Sequence, residues 1–174
     1  MVTLTERPGS ASASSSGATA PGKYLTFCLG HEDFAVPVSK IKEIIGLQEV
    51  TSVPQTPDFV RGVINLRGKV VPVIDLRLKL SIPGAADNER TCVVVMQPEG
   101  RQGSYSIGVV VDAVSEVLQI QSSEIEDTNS FSHGLIRATY IHGVAKIRGK
   151  VKILLDIDSV LSDSDQAHVG ELSA

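Results

Sequence analysis

From Lys23 onward the chain is written as short apolar runs separated by turn-forming polar clusters. "KYLTFCLG" and "FAVPV" flank "HED", and aromatic and β-branched residues interrupted by a polar turn predict the two strands of a hairpin. "SKIKEIIGLQEVTSVP" opens with a helical turn and runs extended toward Pro54, and "QTPDF" reads as loop. The next stretch, "VRGVINLRGKVVPVIDLR", predicts one strand over Gly62–Leu66 and a second over Lys69–Leu76. Arg67-Gly68 is the two-residue turn between them, because Gly tolerates the positive φ that such turns need. Pro72 has no N–H to give a ladder, so its N–H position is expected to face an edge or a bulge. Downstream, "TCVVVMQ" predicts a strand, "PEGRQGS" a turn and "YSIGVVVDAVSEVLQI" an extended stretch with a short break. "QSSEIEDTNSFSHGLIRA" reads as a long polar connection, "TYIHGVAKIRGKVKILLDI" as another hairpin, and "DSVL" as the start of a short helix.

The pattern is written twice. Val60–Leu76 aligns without gaps on Ile141–Ile157, so that Gly62, Arg67, Gly68, Lys69 and Asp75 meet Gly143, Arg148, Gly149, Lys150 and Asp156. Upstream, "FAVPVSKIKEII" lies over "IGVVVDAVSEVL", which pairs Ile41, Glu43 and Ile44 with Val114, Glu116 and Val117. An internal repeat of a small β unit predicts two similar barrels packed together. Each half has only about 60–70 residues, small for an independent core, so the halves should share an apolar interface.

Composition narrows the function classes. A 42% hydrophobic content is ample for a core, while a net charge of −4 argues against a nucleic-acid binder, which needs a basic surface. Aromatics are 4% and Trp is absent, too few for a platform that stacks bases or sugars. Cys28 and Cys92 each sit in an apolar run with no CxxC, as buried free thiols do. No apolar run reaches the ~18 residues needed to cross a bilayer. "MVTLTERPGSASASSSGATAPG" lacks the apolar segment of a signal peptide, which predicts a cytoplasmic protein. Its Ser/Ala/Gly composition predicts a flexible tail over residues 1–22, followed by one domain over 23–162 with halves of about 23–84 and 90–162. Residues 163–174 are expected to be loosely ordered.

Candidate chemistry is thin. The Gly-Lys dipeptides invite a phosphate-loop reading, but five residues separate Gly62 from Gly68 and Val70 follows Lys69. A phosphate loop needs four residues there and Ser or Thr after the Lys. His31, His133, His142 and His168 are scattered, and no Ser lies in a nucleophile elbow. Asp75 and Asp156 close equivalent strands just before helical turns, where N-capping is the simplest role. No enzyme activity, metal or cofactor is expected. A small-ligand sensor would need a closed apolar cavity between the barrels, whereas an open groove favours an adaptor.

"RGVINLRGKVVPVIDLR" closely resembles the signature of the CheW-like chemotaxis coupling proteins. The resemblance continues through "KYLTFCLGHEDFAVPVSKIKEIIG", "TSVPQTPDFVRG" and "GVVVDAVSEVLQI", and it covers roughly Lys23 to Leu161. It implies an all-β fold of two pseudo-symmetric five-stranded SH3-like barrels on a shared hydrophobic core, with strands exchanged between the barrels and a short C-terminal helix. It also implies a non-enzymatic adaptor that couples transmembrane chemoreceptors to the histidine kinase CheA, through the kinase's regulatory domain. Such an adaptor is cytoplasmic and recruited to membrane receptor arrays, without inserting in the membrane. An alternative within the class is an adaptor of another chemosensory pathway, such as type IV pilus motility.

Carried over position by position, the resemblance implies that the receptor tip meets Val38, Ile41, Glu43, Gly62, Arg67 and Val93. Apolar members would grip a helix, and Arg67 would either contact the partner or brace the groove. For the kinase, it points to Ile45 and Gly46 in the first half and Val117 and Leu118 in the second. The second copy departs from the signature, with Ile153, Lys146 and His142 where the first has Pro72, Asn65 and Arg61. That favours the first copy as the functional surface.

Overall fold

The computed structural model describes residues 21–83, 86–100, 103–127 and 140–172. The tail expected over 1–22 therefore lies outside the described residues, apart from Pro21 and Gly22. Along the chain run β1 (Gly22–Leu29), β2 (Glu32–Pro37), β3 (Ile41–Gly46), β4 (Val60–Leu66), β5 (Lys69–Asp75) and a helical turn α1 (Leu76–Lys79). Next come β6 (Cys92–Met96), a small hairpin of β7 (Glu99–Gly100) and β8 (Gly103–Ser104), then β9 (Ile107–Val111) and β10 (Ala113–Ile120). The chain continues through β11 (Ile125–Asp127), β12 (Ile141–Ile147), β13 (Lys150–Leu155), α2 (Ile157–Val160) and α3 (Asp163–Leu172).

The strands form a first sheet in the order β3-β6-β9-β5-β4 and a second in the order β10-β1-β2-β13-β12-β11. The two orders superpose strand for strand, down to one parallel pair in each, β5 with β9 and β13 with β2. The pseudo-symmetry legible in the repeat is therefore a property of the fold. The repeat copies are not the spatial units, however. β1 and β2 leave the first half of the chain to complete the second sheet, and β6 and β9 leave the second half to complete the first.

Strand count and closure refine the expected pair of five-stranded barrels. One sheet has five strands and the other six, and neither ladder closes on itself among the described residues. The chain closes each curl instead. Past β10 it turns at Ser122–Glu124 and returns as β11 to pair with the far edge strand β12. Past β3 it touches the far edge strand β4 at one bridge, with Thr51 and Val63 exchanging backbone hydrogen bonds of 2.9 Å. The stretch read as a wholly polar connection thus contains a strand, whose three residues are too few to show a period of two.

Burial explains the uninterrupted apolar runs. Val93 and Val95 of β6 point into the first unit's own core with Ile64, Val71, Val73 and Val110. Val94 and Met96, the alternate residues, enter a larger core shared with Leu25, Phe27, Leu29, Phe34 and Val36 of the second sheet. A strand buried on both faces has no polar side to write. The second unit keeps a separate inner core of Tyr24, Leu118, Ile120, Ile147 and Leu154. Of the stretch expected to be loosely ordered, residues 163–172 form α3, which packs Val169, fully buried, onto the shared core, and Asp165 pairs with Lys79 of α1. Cys28 and Cys92 are free and half-buried.

The repeated hairpins follow the turn logic. Arg67 and Gly68 have φ of 52° and 85°, and Arg148 and Gly149 have 54° and 78°, the paired positive φ of a type I′ turn. Pro72 sits opposite Val63, a pair that exchanges no ladder bonds, because Val63 gives its own N–H and C=O to Thr51. Pairing of β5 with β9 begins only at Val73, so the donor that Pro72 lacks is needed on neither side. Asp75 and Asp156 cap α1 and α2, accepting from the N–H of Arg77 and Asp158.

Candidate functional site: an adaptor surface on the first unit

The segment Val38–Glu43 carries the chain from the second sheet to the first. Val38 opens a single 3-10 turn, Val38–Lys40, that directly follows Pro37. It is 36% exposed and lines a shallow groove of about 400 Å³ on the second unit with Tyr24, Pro37, Ser39, Lys23 and His142. Lys40 pins the turn to α2 through Asp158 at 3.0 Å. Ile41 is half-buried and packs on the shared core.

A bulge separates Ile41 from Glu43 in the pairing of β3 with β6. A bulge leaves one residue unpaired and re-aims its neighbours, here Lys42, so consecutive residues reach one groove. Glu43 receives both Arg67 guanidinium nitrogens, Nη1 on Oε2 and Nη2 on Oε1, each at 2.6 Å. This fork-on-fork geometry is the strongest arrangement open to the pair. The Arg67 hydrogen bonds hold the Glu43 carboxyl below its usual range, and the carboxylate raises the guanidinium in turn. Beside the clamp lies an open groove of about 750 Å³, floored by Val71 and Val95 and walled by Tyr105. Arg67 is thus both a brace and a surface group: it is tied to β3, yet its side chain is 72% exposed.

The second unit repeats the clamp in looser form. Arg148 Nη1 lies 3.8 Å from Glu116 Oε2, with both side chains exposed. Arg61, near Asp75 at 3.9 Å, is matched by His142 near Asp156 at 3.7 Å.

Of the residues carried over from the resemblance, Glu43 and Arg67 line the groove at the clamp, Val38 lines the separate groove beside His142, and Ile41 packs half-buried on the shared core. Gly62 and Val93 line neither of these grooves. Gly62 has φ of 143°, and a Cβ there would meet Thr51 O at 2.0 Å. It permits the chain crossing that closes the unit and offers no side chain to a partner. Val93 is fully buried, with its side chain committed to the first unit's core. Ile45 also packs on that core, and Leu118 is buried in the second. Their outward neighbours are Ile44, 45% exposed, and Val117, 54% exposed. Gly46 is exposed at the end of β3. Strand alternation alone distinguishes Ile44 from Ile45, and the repeat, which pairs Ile44 with Val117, carried that signal. Lys42, Lys69, Val70 and Tyr105 line the groove as well. Residues of that kind look solvated in a sequence, and only the bulge and the β7–β8 hairpin bring them together.

The family model for the CheW-like domain matches residues 23–165. The chain belongs to the CheW-like family. It is 36% identical to a chemotaxis protein CheW of Klebsiella aerogenes over 157 residues, covering 90% of this chain and 92% of that one. A chemotaxis protein CheW of Bacillus subtilis is 31% identical over 150 residues, covering 84% and 92%. Among solved structures, the scaffolding protein TtCheW of Thermoanaerobacter tengcongensis superposes with a TM-score of 0.73 at 28% identity, over 83% of this chain and 95% of that one. The CheW-like chain is accordingly a chemotaxis adaptor, a scaffold and not an enzyme. No helix among the described residues is long and apolar enough to cross a membrane.

Proposed function

We propose that the protein couples the cytoplasmic tips of chemoreceptors to the regulatory domain of the histidine kinase CheA, and that it works in the cytoplasm, recruited to membrane receptor arrays. The observation that carries this reading is the Glu43–Arg67 clamp beside an open groove, with Val38 exposed in the turn that leads into the same strand. Val38 and Ile41 offer apolar contact to a helix, the usual helix-in-groove mode. Arg67 and Glu43 set the groove's shape, and the guanidinium N–H groups that Glu43 does not accept present donors to the tip. Gly62 and Val93 serve from beneath, one by the chain crossing and one by packing. For the kinase, the exposed pair Ile44 and Val117, with Gly46 at the strand end, gives each unit an apolar edge. Ile45 and Leu118 stiffen those edges from behind.

Co-sedimentation with a receptor-tip fragment tests the clamp. Arg67→Glu sets two carboxylates against each other and should reduce receptor capture about ten-fold, since like charges in contact are strongly disfavoured. The swapped pair Arg67→Glu with Glu43→Arg should recover most of the loss. A folded Arg67→Glu variant that sediments like the parent removes the clamp from the docking surface.

A further inference from the structure

The groove beside the clamp is more basic than the molecule that carries it. Its lining holds three cationic side chains, Lys42, Arg67 and Lys69, against the single carboxylate of Glu43, in a chain whose net charge is −4. Glu43 is consumed by Arg67 through two hydrogen bonds. Lys42 and Lys69 are both exposed, and among the described residues neither has an ion pair. They enter from two different strands, Lys42 at the β3 bulge and Lys69 at the first residue of β5. The groove is also lined by Leu66, Val70 and Val71, of which Val70 is 41% exposed while Val71 is buried. The second copy lacks this arrangement: Ser115 stands at the place of Lys42, and Lys152 at the place of Val71.

We propose that Lys42 and Lys69 are specificity-determining residues of the receptor-docking groove, and that the helix it takes carries carboxylates on both flanks of an apolar ridge. This rests on the reading of the groove as the receptor-docking surface. The ridge sits on Val70 while the flanking carboxylates meet the two ammonium groups at the rim. Rim charges of this kind act mainly on encounter, by steering a complementary partner, whereas the apolar contact governs how long the complex lasts. Lysine suits the task, because its charge on a flexible stem tolerates varied carboxylate positions, unlike the planar Arg67 held by Glu43.

Stopped-flow association with a receptor-tip fragment, over a series of salt concentrations, separates these roles. Reversing both rim charges, Lys42→Glu with Lys69→Glu, should slow association about ten-fold at low ionic strength. The difference should vanish near 1 M salt, where the screening length is about 3 Å. Lys42→Arg with Lys69→Arg should keep the parent rate and salt slope, and Val70→Ser should speed dissociation at every salt. Circular dichroism checks the fold, and Lys42→Gln with Lys69→Gln gives a milder variant with the same expected direction. If the reversed protein associates at the parent rate with the parent salt slope, while Arg67→Glu still weakens capture, the inference fails and the docking reading stands. If Arg67→Glu and Val70→Ser also leave binding untouched, the docking reading fails and the inference falls with it. Slowed association with the kinase regulatory domain in place of the receptor fragment would likewise overturn the assignment.

Discussion

Gly62 and Gly68 share one hairpin and do different jobs. Both have positive φ, but a Cβ on Gly62 would run into the Thr51 backbone, while one on Gly68 would meet nothing within 4 Å. Gly62→Ala is therefore expected to cost about 3 kcal/mol or more, by combining backbone strain with a broken chain crossing. Gly68→Ala should cost only about 1–2 kcal/mol, the ordinary penalty of a left-handed residue. Urea unfolding midpoints of the two variants check the order. Equal shifts would mean that Gly62 is there only for its dihedral angles. The turn glycine was legible because Arg67-Gly68 and Arg148-Gly149 stand at equal places in the repeat. The crossing over Gly62 was not, since Thr51 reaches it from outside the phrase. That Val93, Ile45 and Leu118 face the cores was not legible for a related reason. A sequence match carries a position but not the face of the strand on which it lies.

At the scale of elements, the buried charge network around α1 is the device most exposed to test. Arg77, with a side chain only 5% exposed, lies 2.9 Å from Asp75 and 2.6 Å from Asp112. Asp112 sits where the chain leaves β9 for β10, and it also accepts the backbone N–H of Gly30 in the β1–β2 turn at 2.6 Å. One guanidinium thus ties α1 of the first unit to a hairpin of the second. Arg77→Ala would strand the carboxylates of Asp75 and Asp112, and the expected loss is about 3–5 kcal/mol, read as a shift of the unfolding midpoint. A loss under about 1 kcal/mol would show that water takes over the role. Asp75 was legible in the sequence as a cap and Arg77 was not, because Asp112, its second carboxylate partner, comes from a strand junction far along the chain. α3 escaped notice for want of pattern: its mean hydropathy is low, and it brings only Val169 and the partly buried Leu172 to the shared core.

Across the whole molecule, two sheets woven from both halves of the chain share a core, which makes unfolding of one unit without the other unfavourable. Paired carboxylates add a pH dependence. Hydrogen bonds from Arg61 hold the Asp87 carboxyl below its ordinary value. A carboxyl whose folded value is lowered stabilises the fold above its unfolded value, near 4, and loses that contribution as pH falls through the lower folded one. Thermal stability should therefore be level from neutrality to about pH 5 and fall below about pH 4. Asp87→Asn should be the less stable form at neutrality and converge on the parent in acid; a constant offset at every pH would remove Asp87 from the linkage. The central claim, that this scaffold transmits receptor state to a kinase, is tested most directly by reconstitution. CheA autophosphorylation would be measured with receptor fragment, with and without the protein. Kinase activity that rises with added protein, and fails to rise with Arg67→Glu, is the expected result. Activity indifferent to the protein's presence would contradict the account.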